Sequence, residues 1–126
     1  VIELHGSLNT GHCMGCGKKY SGDEIYQMLR ADIPKCECGG IIKPDIVFFG
    51  EPVQGLTEAQ EYSRKADLFI VIGSSLMVQP ASILPYLTEG KIVIINKGMV
   101  AFPSERIDLK FNDDADIIFK DVMQFF

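Results

Sequence analysis

The chain has 126 residues, of which 47% are apolar and 23% are charged, and its formal net charge is −5. This length and a mean hydropathy of +0.14 predict one packed globular domain with room for a small satellite module. No apolar run approaches the ~18 residues that a bilayer span needs, and the acidic balance argues against a non-specific nucleic-acid surface. Neither a membrane nor direct nucleic-acid binding is therefore expected.

The start of the chain carries two further signals. No signal-peptide pattern opens it, which predicts a reducing compartment, cytoplasmic with the nucleus as the alternative. Because Val1 already lies in what reads as ordered sequence, we expect the chain to be a piece of a longer protein.

The first part of the chain predicts a module of short elements. Residues 1–4 alternate apolar and acidic side chains, which indicates a short strand, and the turn-rich residues 5–11 are not expected to be helical. Residues 23–31 carry apolar side chains at helical spacing, so a short helix capped by Ser21 or Asp23 is expected. Residues 46–49 form an apolar run that predicts a buried strand, and Pro44 before it cannot donate to a sheet ladder.

Two tight cysteine pairs give the strongest chemical signal. They are Cys13 with Cys16 and Cys36 with Cys38, each followed by glycine. Four thiolates at about 2.3 Å fill the tetrahedral shell of one Zn²⁺ and leave no position for water, so the predicted site is structural and not catalytic. A disulfide or four unrelated thiols is the alternative, which a reducing compartment disfavours.

The second part of the chain alternates helices and strands. Residues 57–65 predict an amphipathic helix with Thr57 as its N-cap, and a helix of one to two turns follows Pro80 and ends near Leu87. Continuous apolar runs predict strands at residues 68–72, which should be fully buried, and at residues 91–96 and 107–111. Residues 115–126 predict a closing helix with an apolar stripe that includes Ile118, Val122 and Phe125. Such an alternation implies an α/β fold with a parallel sheet covered on both faces.

Ligands of parallel α/β sheets bind beyond the carboxyl ends of the strands. That rule selects three loops, which are Gly50-Glu51, Gly73-Ser74-Ser75 and Asn96-Lys97-Gly98. Glycine allows a close backbone approach, and serine hydroxyls and amides suit phosphate or ribose oxygens. A plain strand-to-loop turn is the alternative for the Gly-Ser-Ser segment.

The order of these motifs resembles the sirtuin family of NAD-dependent protein-lysine deacylases. The resemblance runs over essentially the whole chain, in His5-Gly6-Ser7, both cysteine pairs, Gly39-Gly40, KPDIVFFGE from Lys43 to Glu51, GSSLMV from Gly73 to Val78, and Pro80-Ala81. It implies a zinc-ribbon module in residues 1–44 beside residues 45–126, the C-terminal half of a parallel Rossmann-type NAD domain. An acyl-lysine peptide is implied to bind in the cleft between them.

The resemblance also implies residue roles. The zinc ligands are Cys13, Cys16, Cys36 and Cys38. The segment with Val47, Phe49, Gly50 and Glu51 pairs with the substrate backbone by strand addition and lines the acyl-lysine tunnel, and Val78 flanks the peptide on its other side. NAD, the co-substrate, is held by Gly73, Ser74, Ser75, Asn96, Lys97 and Gly98, with Ala115 near its adenine ring.

Some parts of the family pattern do not occur in these 126 residues. The glycine-rich NAD loop and the Gln-Asn-x-Asp segment are expected upstream of Val1, and so is the histidine that acts as general base. His5 is a weak candidate for that base, and its more expected role is to fix the turn into the zinc module. His12 is expected to be a spare polar residue near the metal. The 126 residues alone are therefore expected to be inactive, and the missing N-terminal half of the fold is an expected partner that covers an exposed strand edge.

Three functions follow from these expectations. The first is an NAD-dependent protein-lysine deacetylase, which transfers the acyl group from lysine to ADP-ribose and releases nicotinamide. The second is an NAD-dependent protein ADP-ribosyltransferase on the same fold. The third is a zinc-ribbon interaction module without catalysis, and the polar residues Glu51, Ser75 and Asn96 at the strand ends argue against it.

Overall fold

A computed structural model describes residues 1–125, and the predicted helical position of Phe126 lies outside the described residues. Backbone contacts divide the chain into two compact units, Val1–Gly55 and Leu56–Phe126. No helix in the described part of the chain is both long and apolar enough to cross a bilayer. The domain boundary predicted between residues 44 and 45 stays a prediction. It falls inside a strand of the first unit.

The first unit is a three-stranded antiparallel sheet with one helix. Its elements are β1 (Gly6–Cys13), β2 (Lys19–Ser21), α1 (Gly22–Leu29) and β3 (Ile42–Ile46), and the strand order is β2-β1-β3. The strand predicted at residues 1–4 is wrong, because that segment forms no ladder. The strand lies instead in the turn-rich residues that follow, where β1 pairs with both neighbours and is irregular between Gly6 and Gly11.

Helix α1 begins at Gly22 and is capped by Ser21, one of the two predicted N-caps. The Ser21 hydroxyl accepts from the Glu24 N–H at 3.3 Å, and the Glu24 carboxylate accepts from the Ser21 N–H at 2.7 Å. This capping box satisfies two backbone donors of the helix terminus. Ile25 on the inner face of the helix is 3% exposed and packs into the core of the unit.

The strand predicted at residues 46–49 is wrong by almost its whole length. β3 ends at Ile46, and Phe48 and Phe49 are 52% and 103% exposed. Pro44 lies inside β3, which is tolerated because β3 is an outer strand of its sheet. The apolar run therefore marks an exposed loop and not a core strand.

The second unit contains the predicted parallel sheet. Its elements are α2 (Leu56–Lys65), β4 (Leu68–Ile72), a 3-10 helix (Ala81–Leu87), β5 (Lys91–Ile95), a short 3-10 turn (Ser104–Arg106), β6 (Leu109–Phe111) and α3 (Ala115–Met123). All strands run parallel in the order β4-β5-β6. α2 begins one residue before Thr57, so Thr57 lies in its first turn and is not its N-cap.

The core of the second unit covers only one face of β4, an outer strand of its sheet. Ile92 and Ile94 of β5 are at most 1% exposed, and Val71 of β4 is 5% exposed. The prediction that β4 is fully buried is wrong, because Leu68 is 53% exposed and alternate side chains of an outer strand point to opposite faces.

Helix α3 has no buried residue among its described positions. Val122 and Phe125, which belong to the predicted apolar stripe, are 42% and 87% exposed. Ile118 is partly buried, so the predicted stripe is only partly covered within the part of the chain that the structure describes.

Candidate functional site

The four cysteines form one cluster in the first unit. Their sulfur atoms all lie within 4.8 Å of one another, with 3.4 Å between the Sγ atoms of Cys13 and Cys38 and 3.6 Å between those of Cys16 and Cys36. Tetrahedral Zn²⁺ with Zn–S bonds of about 2.3 Å requires sulfur separations of about 3.8 Å. A disulfide requires about 2.05 Å, so the cluster fits a metal and not a bridge.

The surroundings of the thiols favour a bound cation. The Tyr20 hydroxyl, with the Cys38 backbone amide, lowers the pKa of Cys36 to about 6. The Gly40 amide also lowers the pKa of Cys38, but the three neighbouring sulfurs together raise that pKa to about 12. The four thiols therefore do not all ionise by themselves, whereas Zn²⁺ compensates the charge that opposes the last ionisation.

Gly40 makes the close packing of the cluster feasible. A Cβ at Gly40 would lie 2.7 Å from the Cys13 Sγ and 3.0 Å from the Gly15 nitrogen, whereas a Cβ at Gly15 would meet nothing closer than 3.5 Å. We therefore expect Gly40→Ala to weaken zinc binding by about 1–3 kcal/mol, or roughly 5- to 150-fold, as overpacking displaces Cys13.

Gly15→Ala is the matched control, because it adds the same methyl group to the same cysteine cluster, at the other cysteine pair, with ordinary contacts. Competition with a chromogenic zinc chelator measures both affinities. Equal affinities for the two variants would contradict the packing role of Gly40.

The predicted substrate segment is an exposed loop after β3. The Val47 N–H donates to the His5 carbonyl at 2.9 Å, so this loop lies beside the start of β1. Phe49 projects fully into solvent, and Gly50 is exposed. The Glu51 side chain turns back towards β3, and its hydrogen bonds with the Lys43 side chain and the Phe48 N–H lower its pKa.

The two histidines have different surroundings. The His12 Nδ1 lies 2.6 Å from the Asp45 Oδ1, and the Thr10 hydroxyl donates to the other oxygen of the same carboxylate at 2.7 Å. The side chains of Thr10 and His12 lower the pKa of Asp45, in that order of size. His5 is exposed and lies next to the predicted substrate segment through its carbonyl bond to Val47.

In the second unit the predicted cofactor segments meet at one rim of the sheet. The Gly73 N–H donates to the Ile95 carbonyl at 2.9 Å, which places the end of β4 beside the end of β5. The Asn96 N–H donates to the Phe111 carbonyl at 3.0 Å and joins β5 to β6 in the same way. Gly73 has φ +62°, a conformation that glycine adopts at little cost, and a Cβ there would meet no atom within 4 Å.

Two further contacts shape this rim. The Lys97 Nζ lies 2.6 Å from an Asp114 carboxylate oxygen, so the loop after β5 is tied to the residue before Ala115, where α3 begins. The Ser74 hydroxyl accepts from the Leu76 N–H at 3.2 Å and the Ser75 carbonyl accepts from the Ala101 N–H at 2.8 Å. Backbone amides, hydroxyls and the start of a helix on an open rim can bind phosphate and ribose oxygens.

Lys43 is not among the site residues that the sequence predicted. Val78 is 55% exposed in the second unit, in the loop before the 3-10 helix, where its carbonyl accepts from the Ser82 N–H. Lys43 is only 17% exposed, and its ammonium group contacts the Glu51 carboxylate at 2.8 Å. The available signal was a lysine and a glutamate of opposite charge on the two sides of the apolar run at residues 46–49.

Comparisons with known proteins agree on one family. The Sir2 family model matches residues 1–80. The NAD-dependent protein deacetylase of Sulfolobus acidocaldarius is 38% identical over 128 residues, which cover 98% of this chain and 50% of that protein. The chain thus spans about half the length of the curated relatives it matches.

Two solved structures agree over nearly all of this chain. One holds Sir2 with a p53 peptide and NAD⁺, is 42% identical and has a TM-score of 0.91 over 98% of this chain and 54% of that one. The other is a Sir2 variant with one histidine replaced by tyrosine, with a p53 peptide and NAD, and is 41% identical with a TM-score of 0.91 over 98% and 55% of the two chains.

Proposed function

This chain belongs to the Sir2 family, and on that premise we propose that it is part of an NAD-dependent protein-lysine deacetylase. The observation that carries the proposal is the rim of the parallel sheet, where Gly73, Asn96 and the start of α3 lie at neighbouring strand ends. A pure interaction module has no need of such a polar rim. The proposed reaction transfers the acyl group of lysine to the ADP-ribose part of NAD and releases nicotinamide.

The roles of individual residues are part of the proposal. Gly73, Ser74, Ser75, Asn96, Lys97, Gly98 and Ala115 would hold NAD, which supplies the ribose that accepts the acyl group. Val47, Phe49, Gly50, Glu51 and Val78 would hold the acyl-lysine peptide. The exposed backbone after β3 supports peptide capture by strand addition, which gives affinity with little demand on peptide sequence.

The proposed reaction also needs a general base. The family pattern led to the expectation of a histidine upstream of Val1, but we propose His5 for this role. Within this chain His5 is the stronger of the two candidates, because it is exposed and its carbonyl binds the Val47 N–H, whereas the His12 ring is engaged by Asp45. One of the similar Sir2 structures is a variant in which a histidine is replaced by tyrosine, and this supports the proposal that the base is a histidine.

We also propose that these 126 residues do not suffice for catalysis. The glycine-rich NAD loop does not occur in them, and Leu68 and Ile72 on the outer strand of the parallel sheet are about half exposed. The four unbridged cysteines support a reducing compartment, for which we propose the cytoplasm with the nucleus as alternative.

The test is NAD-dependent deacetylation of an acetyl-lysine peptide, followed by nicotinamide release. We expect activity in a protein extended by the upstream half and none in the 126 residues. Transfer of labelled ADP-ribose to protein without loss of acetyl groups would favour the ADP-ribosyltransferase. No nicotinamide release in either protein, with zinc bound and the fold intact, would favour the interaction module.

A further inference from the structure

Lys43 lies under the loop that the proposed function assigns to the peptide. Its ammonium group donates to the Glu51 Oε2 at 2.8 Å and to the Ile46 carbonyl at 3.1 Å, and it lies 4.7 Å from the centre of the Phe48 ring. A largely buried ammonium needs such partners, because an unpaired charge away from water is costly. These contacts fix both ends of the loop to one cation.

Glu51 closes the loop from the other side. Its Oε2 also accepts the Phe48 N–H at 2.9 Å, and its own N–H donates to the Phe48 carbonyl at 3.0 Å. The Val47 N–H is bonded to the His5 carbonyl. In the described part of the chain, Phe49 and Gly50 are then the residues of this loop whose N–H and C=O groups bind no other residue, and the Phe49 side chain is fully exposed.

The position of Lys43 in the sheet connects this loop to the cysteine cluster. Lys43 follows Ile42, which is 2% exposed and pairs with the zinc-ligand candidate Cys13 in the register of β1 and β3. Lys43 itself pairs with His12 one step along the same ladder. The cation is therefore held by the rigid part of the first unit.

We propose that Lys43 is a positioning residue for peptide capture, which acts through Glu51 to hold the Phe49 backbone open for strand addition. The inference rests on the proposed function and makes it more specific. Glu51 then contributes to peptide binding as the carboxylate that closes the loop, and peptide affinity depends on its ion pair with Lys43.

The test compares Lys43→Met, which keeps an apolar stem and removes the charge, with Lys43→Arg in the protein extended by its upstream half. Loss of one charge-assisted hydrogen bond predicts an about tenfold higher KM for an acetyl-lysine peptide, with kcat changed less than about twofold. Lys43→Arg should recover much of the affinity. Hydrogen exchange of the Phe48 amide should accelerate in Lys43→Met, which is a readout independent of turnover.

Lys18→Met is the matched control. Lys18 makes the same kinds of contact, an ion pair with Glu37 at 3.3 Å and a cation–π contact with Tyr20 at 5.4 Å, but it is 49% exposed and lies away from the loop. It should leave the peptide KM unchanged. Zinc content measured for all variants reports whether the first unit is folded.

Three outcomes would overturn the inference. An unchanged peptide KM and unchanged Phe48 exchange in Lys43→Met would overturn the positioning role alone. Equal losses of kcat, peptide affinity and zinc would reduce Lys43 to a folding role. A parent protein that binds zinc but no acetyl-lysine peptide would overturn the proposed function itself, and the role of Lys43 with it.

Discussion

Removal of zinc is expected to unfold the first unit. Its buried core consists of Cys13, Tyr20, Ile25, Cys36 and Ile42, so two of its five buried members are zinc-ligand candidates. A structural zinc site contributes about 10–16 kcal/mol of apparent binding free energy, which is comparable to the whole stability of a domain at about 5–15 kcal/mol. A unit of this size with so small an apolar core does not replace that contribution.

The measurement is amide hydrogen exchange before and after treatment with a strong chelator. We expect protection in β1 and β3 to be lost and then restored by Zn²⁺ but not by Mg²⁺, because thiolates prefer the softer ion. Cys16→Ser should resemble the chelated protein. Met14→Ser serves as the control, because Met14 lies between the same two cysteines, Cys13 and Cys16, and is 66% exposed. Full protection of β1 without metal would contradict a folding role for zinc.

Replacement of His5 is expected to have the second large effect. In a protein extended by the upstream half, we expect His5→Ala to lower deacetylation by about 10²- to 10⁴-fold, the usual contribution of a general base. The physical reason is the position of His5, which is exposed and directly beside the proposed peptide segment at Val47. Peptide and NAD binding should change much less than kcat.

His12→Ala is the comparison variant, because it removes the other imidazole and leaves His5 in place. Its ring bonds Asp45, so we expect a moderate loss of stability and an activity near that of the parent. The rate is measured by single-turnover nicotinamide release and by peptide deacetylation. Unchanged deacetylation in His5→Ala would contradict a general-base role for His5 and place the base elsewhere in the protein.

Local sequence signals predicted the second unit best. The runs at residues 68–72 and 91–96 form β4 and β5, and their parallel pairing is confirmed. Such runs are informative because a strand of a parallel sheet is apolar over most of its length. The predicted rim followed directly, since Gly73 and Asn96 are the residues that come after those strands.

Prediction failed where apolar residues are exposed. Phe48 and Phe49 read as a core strand, but the chain leaves the sheet after Ile46 and turns around Glu51. Val122 and Phe125 read as the buried face of a helix and have no cover among the described residues. Hydrophobicity identifies side chains that favour burial, but it does not identify the surface that buries them.

The sequence by itself predicted the four cysteines that cluster, the strands of the parallel sheet and the residues at its rim, because each depends on spacing within a short stretch of chain. Only the tertiary structure decided that Asp45 engages His12 and that Lys43 holds Glu51. The first contact joins residues 33 positions apart, and the second depends on where β3 ends and the loop turns. Interactions of this kind are set by strand register and loop conformation, which side-chain patterns along the chain do not specify.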